Sequence, residues 1–172
     1  MRKTDLAAQR LLTEANIDAA PIEVFALAKL AGAEVVRHQF DNGDISGMLY
    51  RDDTHTVIGL NSTHSLTRQR FTVAHELGHL RLHPGRPLIL DVPARVNFRD
   101  PTASLATDRE EIEANAFAAA LLMPERLVLE AVSRLLTAAH YTPETLTVLL
   151  AKEFEVSEAA MGYRFINLGI TT

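Results

Sequence analysis

The segment His75-Glu76-Leu77-Gly78-His79 constrains the fold of this chain more than any other. An α-helix turns about 100° per residue, so side chains at i and i+4 lie about 40° apart on one face, one turn above the other. Two imidazoles so placed converge on one point, which commits the surrounding residues to a helix and the histidine face to a cleft. The run Arg68 to His83 fits that requirement: Val73, Leu77 and Leu80 project opposite the histidines, so one side is expected to anchor in a core. Gly78 costs about 1 kcal/mol against alanine inside a helix and is tolerable where a close backbone approach needs it. Glu76 stands beside the first histidine, where its carboxylate can reach a water on the open side of a metal held by His75 and His79. His-Glu-x-x-His on a helix is the pattern of metal-assisted peptide hydrolysis, and it makes Glu76 the candidate catalytic base. A histidine on a mostly apolar helix is more often a core residue than a ligand, but here three residue types are fixed in register.

The donor set is restricted by composition. The chain has no cysteine, so the site must be built from nitrogen and oxygen, without a disulfide framework. Its 172 residues, 47% of them apolar, suffice for one sizeable core or one core with a small appendage. The N-terminal Met1-Arg2-Lys3-Thr4-Asp5 leads into a polar amphipathic segment, and no stretch reaches the length of a membrane span; the expected location is cytoplasmic, with no membrane partner. A formal charge of −5 argues against nucleic acid as a direct partner.

Two helices are expected to open the fold, over 5–15 and over 21–31 with Pro21 at a favoured first position and Gly32 as the stop. Strand-like runs at 33–40, 45–51 and 56–61 are separated by turns at Asp41-Asn42-Gly43-Asp44 and Arg51-Asp52-Asp53-Thr54 and predict a three-stranded antiparallel meander. Asn61-Ser62-Thr63 stops the last strand, and the metal helix begins near Ser65 and ends before Pro84-Gly85. A long connection over 84–106, with a short strand-like run at Val96 to Phe98, is either an ordered surface loop or a wall of the cleft. A helix near 108–123 starts at a capping box, Thr107-Asp108-Arg109-Glu110, and ends at Pro124. Helices at 125–138, 143–154 and 157–167 follow, the last capped by Ser157 with Val156 and Met161 as a hydrophobic staple. The expected class is α+β: a catalytic domain over 1–124, and a helical, helix-turn-helix-like subdomain over 125–172 packed on it.

A metal that keeps one position for water needs a third protein ligand. His83 repeats the i+4 step, but three ligands along one straight helix would span about 12 Å of axis, too far for one ion. His83 therefore reads as a helix-end residue. The helix near 108–123 offers Asp108, Glu110, Glu111 and Glu113. Glu110 has a place in the capping box. Helical phase sets Glu111 with Asn115 and Leu122, whereas Glu113 falls amid Ile112, Ala116, Phe117 and Ala120. A carboxylate inside an apolar stripe is costly unless paired or metal-bound, so Glu113 is the choice, with a buried salt bridge as its alternative role. Two histidines and a glutamate favour Zn²⁺, and the ligand types also suit Mn²⁺ or Fe²⁺.

The chain resembles the ImmA/IrrE family of metallo-endopeptidases. The matching stretches are Arg70-Phe71-Thr72-Val73-Ala74-His75-Glu76-Leu77-Gly78-His79 and Glu113-Ala114-Asn115-Ala116-Phe117-Ala118-Ala119-Ala120-Leu121-Leu122-Met123-Pro124, with a looser match at Val156 to Met161 and Arg164. The resemblance implies a zincin-like (gluzincin) fold, with metal residues carried onto His75, His79 and Glu113 and the general base onto Glu76. It also implies a cytoplasmic protease that cuts a helix-turn-helix repressor, derepressing stress-response or mobile-element genes. Larger members add a C-terminal sensor-like domain, for which 172 residues leave no room, so the likeness is to the short, mobile-element type.

An extended substrate is expected to add to the strand Val57 to Asn61. Tyr50, Arg99, His140, Tyr141 and Tyr163 are the candidate oxyanion donors, unranked by sequence. Two rival readings are a catalytically silent, metal-stabilised interaction protein and a DNA-binding module. Leu150-Ala151, Val156 and Met161 have helix-turn-helix spacing. Between Glu144 and Gly169, however, four glutamates face Lys152 and Arg164, a net of −2 where phosphate contacts want positive charge.

Overall fold

In the computed structural model, which describes residues 2–40, 45–91 and 101–170, the chain runs α1 (Lys3–Glu14), α2 (Val24–Leu30), β1 (Glu34–His38), β2 (Gly47–Arg51), β3 (Thr56–Asn61), α3 (Leu66–Leu82), β4 (Leu88–Asp91), α4 (Pro101–Leu122), α5 (Glu125–Ala138), α6 (Pro143–Glu153) and α7 (Glu158–Leu168). The chain is thus α+β, as its sequence predicts.

The sheet is not the expected three-stranded antiparallel meander. It has four strands in the order β1-β3-β2-β4, with β1 parallel to β3 and the other pairs antiparallel. Among the described strands, only β2 and β3 form a hairpin. Its loop is closed by the Asp52 carboxylate, which accepts from the Thr54 and His55 backbone N–H groups, both at 2.8 Å. β1 ends where β3 ends, His38 opposite Asn61, while β2 starts opposite Leu60, so the chain crosses the end of β3 instead of turning back beside it. Asn61 anchors that crossing: its amide donates to the Ile45 carbonyl at 3.1 Å, and its Oδ1 accepts from Thr63 N–H at 3.0 Å, which ends the strand. The fourth strand comes from the stretch expected to be a loop. Ile89 is buried against the core, with Leu88 and Leu90 exposed on either side of it, the period-two pattern of a half-buried strand. The Asp41–Asp44 turn and the Val96–Phe98 run lie outside the described residues.

α2 starts at Val24, and Pro21 is not its first residue. A long-range bond outweighs the local signal: the Arg70 guanidinium takes the Ile22 carbonyl at 2.9 Å, and Val24 N–H turns back to that same carbonyl at 2.8 Å. α4 begins at Pro101, a full turn and more before the expected capping box, and Glu110 is ion-paired with Arg86 at 3.0 Å instead of capping a helix end.

α3 runs between the sheet and α4, and α1 packs on α4. One hydrophobic cluster continues from Leu11, Leu27, Ile58 and Leu77 through Phe117 and Leu121 to Leu146, Phe154 and Met161. Two buried arginines tie the C-terminal helices to it. Arg70 of α3 donates to the Glu155 carbonyl at 3.2 Å and pairs with its carboxylate at 3.1 Å; Arg164 of α7 donates to the Met123 carbonyl at 2.9 Å. α7 is capped by Ser157, which accepts from Ala160 N–H at 3.1 Å, over the buried staple Val156 and Met161.

Candidate metal centre

α3 starts at Ser65, whose hydroxyl accepts from Arg68 N–H. From Gln69 to His79 every residue but Phe71 is buried, because the sheet covers one face and α4 the other. The two helices approach closely at Gly78. A Cβ there would lie 3.1 Å from Ala114 Cα and 3.2 Å from Ala114 O, so the glycine is the price of bringing α4 up to the histidines.

His75 Nε2 and His79 Nε2 lie 3.0 Å apart. Glu111 completes the triangle, with Oε2 3.2 Å from His75 Nε2 and Oε1 3.3 Å from His79 Nε2. His75 Nδ1 is 3.0 Å from Asn115 Oδ1, an acceptor, so this ring carries its hydrogen on Nδ1 and turns a bare Nε2 to the centre. Nε2 lone pairs and a carboxylate converging on one point repel one another unless a cation lies between them. The 3.2 and 3.3 Å separations approach the edge of about 3.3–3.4 Å of a tetrahedron with bonds of about 2.0–2.1 Å, the values for zinc with nitrogen and oxygen donors, and the 3.0 Å between the imidazoles is tighter. His75, His79 and Glu111 thus fit a metal ion. Where protons instead of a metal ion occupy the two Nε2 positions, burial pulls the Glu111 carboxyl up, but hydrogen bonds from His75 and His79 and their charge outweigh it and bring it down to about 2.

The structure does not bring Glu113 to the imidazoles. Its oxygens are 3.0 Å from Arg109 Nε and 3.3 Å from His83 Nε2. The stripe that pointed to Glu113 is only half buried: Phe117 and Ala120 are in the core, but Ile112 is 68% exposed, and the rest of the buried face is Ala114, Ala118, Leu121 and Leu122. Glu111 shares its side of the helix with Asn115 and Leu122, and that side meets α3. The signal available in the sequence was Asn115 four residues after Glu111: a metal-bound histidine needs a partner for its second nitrogen, and an i, i+4 pair can supply ligand and partner from one face. His83 is the C-cap of α3, as expected, with its ring against His79.

Glu76 is wholly buried, and among the described residues neither carboxylate oxygen has a hydrogen-bond partner. Burial raises its carboxyl to about 8; the Asp91 and Glu111 charges push the same way, and His75 opposes them. Gly47 of β2 leaves room for Thr72 and for this side chain, since a Cβ there would overlap Thr72 Cγ2 and lie 3.0 Å from Glu76 Oε1. Asp91, at the end of β4, brings a carboxylate oxygen within 4.8 Å of donor atoms of His75 and Glu76, and burial raises its carboxyl too. A groove of about 920 Å³ leads away from Asp91 and Asn115 between α3, α4 and α7. Of the oxyanion candidates, Tyr163 lines this groove, Tyr50 donates to Asp52 on the β2–β3 hairpin, and Arg99 lies outside the described residues.

An α+β domain with His-Glu-x-x-His on a buried helix, and a carboxylate from a later helix facing both histidines, has the layout of a metallopeptidase. The family profile of peptidase M78, the IrrE N-terminal-like domain, matches residues 28–165, and the chain belongs to that metallopeptidase family. It is 34% identical over 118 residues to the radiation response metalloprotease IrrE of Deinococcus radiodurans, covering 65% of this chain and 31% of that protein. It is 33% identical over 85 residues to the uncharacterized immunity region protein 2 of Bacillus phage phi105, covering 49% of each. The chain thus spans about half the length of one curated relative and about a third of the other. In fold it is similar to a Mycobacterium tuberculosis transcriptional regulator, with a TM-score of 0.63 at 20% identity over 96% of this chain and 56% of that one. No described helix is long and apolar enough to cross a membrane.

Proposed function

We propose that this chain is a zinc-dependent endopeptidase whose metal ligands are His75, His79 and Glu111, with Glu76 as general base and a helix-turn-helix repressor as substrate. The observation that carries the reading is the convergence of the two imidazole nitrogens and the Glu111 carboxylate at 3.0–3.3 Å beside a buried carboxylate that has no hydrogen-bond partner among the described residues. Glu111 takes the place first given to Glu113. A divalent ion, when bound, supplies Lewis-acid polarisation of the scissile carbonyl and of the attacking water. Glu76 accepts a proton as the water oxygen bonds to the carbonyl carbon, then passes it to the leaving amine as the C–N bond breaks. Asn115 holds His75 in the orientation the site requires.

The substrate strand adds to β4 and not to β3, which is paired on both sides. Arg51 N–H bonds the Pro87 carbonyl, and the alternation of an antiparallel ladder then turns the backbone groups of Leu88 and Leu90 away from β2, toward an incoming chain. The groove beside Asp91 gives the chain a route onward. A regulatory target is supported by the relatives, one named for a phage immunity region and one for a radiation response. α6 and α7 serve as scaffold in this reading: Arg164 is buried and bonded to Met123, so it is not free for phosphate.

Incubating the zinc-loaded protein with the repressor encoded beside it tests the proposal. Wild type should cut it, and Glu76→Gln should keep the metal and lose turnover. Intact repressor with both proteins would favour a silent interaction protein, and tight operator binding by this chain would favour the DNA-binding module.

A further inference from the structure

His83 and Glu113 take no part in the triangle of donor atoms, yet they stand in line behind one of its corners. His83 Nδ1 is 3.0 Å from His79 Nδ1, and His83 Nε2 is 3.3 Å from Glu113 Oε2. One assignment of hydrogens satisfies the whole line. A carboxylate only accepts, so His83 Nε2 carries its hydrogen; the Nδ1 of that neutral ring is then bare and accepts; His79 Nδ1 must therefore donate. The hydrogen is thereby kept off His79 Nε2, whose lone pair faces His75 and Glu111. Each member is fixed from outside. The His83 carbonyl accepts from Arg51 of β2, its N–H closes the last turn of α3 onto the His79 carbonyl at 3.0 Å, and Glu113 is held by Arg109 at 3.0 Å and approached by Lys3 at 3.9 Å. His79 is wholly buried and His83 nearly so, and this line runs within protein from the centre to the partly buried Glu113. His75 is held differently, by the single neutral amide of Asn115.

We propose that Glu113 and His83 form a relay of two positioning residues that keeps His79 in its metal-binding tautomer and orientation and so sets the metal affinity of the site. Partners of this kind behind a ligating histidine change metal affinity by about 10–100-fold. The inference rests on the metal reading above, and Glu113, first chosen as a ligand, acquires a role one step removed.

The test is a double-mutant cycle on the full chain, with the zinc dissociation constant measured by chelator competition and the visible spectrum of the Co²⁺ form as a second readout. His83→Ala should weaken zinc binding about 10–100-fold and shift the Co²⁺ bands. Glu113→Ala should weaken it by no more than that, and the double variant should be no worse than His83→Ala, because Glu113 acts only through His83. Glu113→Gln, whose amide oxygen still accepts from His83, should recover most of the affinity. Unchanged affinity in His83→Ala, or a Glu113→Ala loss that persists in full when His83 is absent, would overturn the relay. If His83→Ala does not fold, His83→Asn keeps an acceptor near the Nδ1 position and should match Glu113→Ala; wild-type affinity in that variant would overturn it equally. A wild-type protein that binds no zinc would overturn the metal reading, and the relay with it.

Discussion

A single methyl group at Gly78 separates two accounts of why α3 carries a glycine between its histidines. On helix propensity alone, Gly78→Ala stabilises by about 1 kcal/mol. The structure predicts the opposite sign. The new Cβ would meet Ala114 Cα at 3.1 Å, Ala114 O at 3.2 Å and Phe117 Cδ1 at 3.2 Å, where carbon contacts settle at about 3.5–4.0 Å. Two of the three are backbone atoms that no rotamer change can move, so α3 and α4 must part by several tenths of an ångström. Overpacking of this kind costs about 1–3 kcal/mol. Set against the propensity gain, the net is a loss of about 1 kcal/mol, or a melting temperature lower by about 2–4 °C. The same parting acts on the metal, because His75 and His79 flank Gly78 on one helix while Glu111 lies one turn before Ala114 on the other. Metal bonds tolerate errors of about 0.2 Å, so zinc affinity should fall as well. Calorimetry on the metal-free protein and chelator competition on the loaded one give both numbers. A variant that melts higher than wild type and binds zinc equally well would refute the close-approach argument.

Glu111→Ala should abolish stoichiometric zinc binding with the metal-free fold intact, read by metal analysis after dialysis and by circular dichroism; full zinc retention would remove Glu111 from the site. Leu90→Pro deletes a backbone N–H on the free side of β4, where an edge strand tolerates proline. It should leave zinc content unchanged and strongly reduce cleavage, and undiminished cleavage would sink the strand-addition route. Arg70→Met removes the guanidinium from the Ile22 carbonyl, which keeps Val24 N–H, and from the Glu155 carbonyl and carboxylate, and should cost about 2–4 kcal/mol in a denaturant titration. Arg70→Lys should not rescue it, since one ammonium cannot span both carbonyls and the Glu155 carboxylate.

Helices were the most legible part of this chain, since their signals are local. Ser65, Thr142 and Ser157 each accept a hydrogen bond from a backbone N–H three residues on, and α3, α5, α6 and α7 lie close to their sequence-based bounds. α2 and α4 start elsewhere, because Ile22 answers to Arg70 across the core and α4 extends back to Pro101. The sheet was half legible. Period-two patterns mark strands but carry no information on which strand pairs with which, so the parallel β1–β3 pairing could not be read from them. Within the site, the i, i+4 histidines follow from helix geometry alone. The choice among Glu110, Glu111 and Glu113 depended on which face of α4 meets α3, and exposed Ile112 mimicked part of a buried stripe.

That dependence makes metal affinity and helix packing a single property of this domain. α4 supplies Glu111 to the triangle, Asn115 to the back of His75, Glu113 to the back of His83, and Ala114 as the surface against which Gly78 rests. These residues span little more than one helical turn, so a rotation of α4 about its axis cannot improve one contact without degrading the others. An ion held by both helices then favours the native α3–α4 packing, and whatever loosens that packing weakens the hold on the ion, since ligand binding and stability are reciprocally linked. At an ion concentration one hundred times the dissociation constant the linkage is worth about 2.7 kcal/mol, comparable to the loss predicted for Arg70→Met. Chelation should therefore lower the melting temperature by about 5–11 °C, and Gly78→Ala should reduce that difference, because its loosened helix pair binds the ion more weakly and so gains less from it.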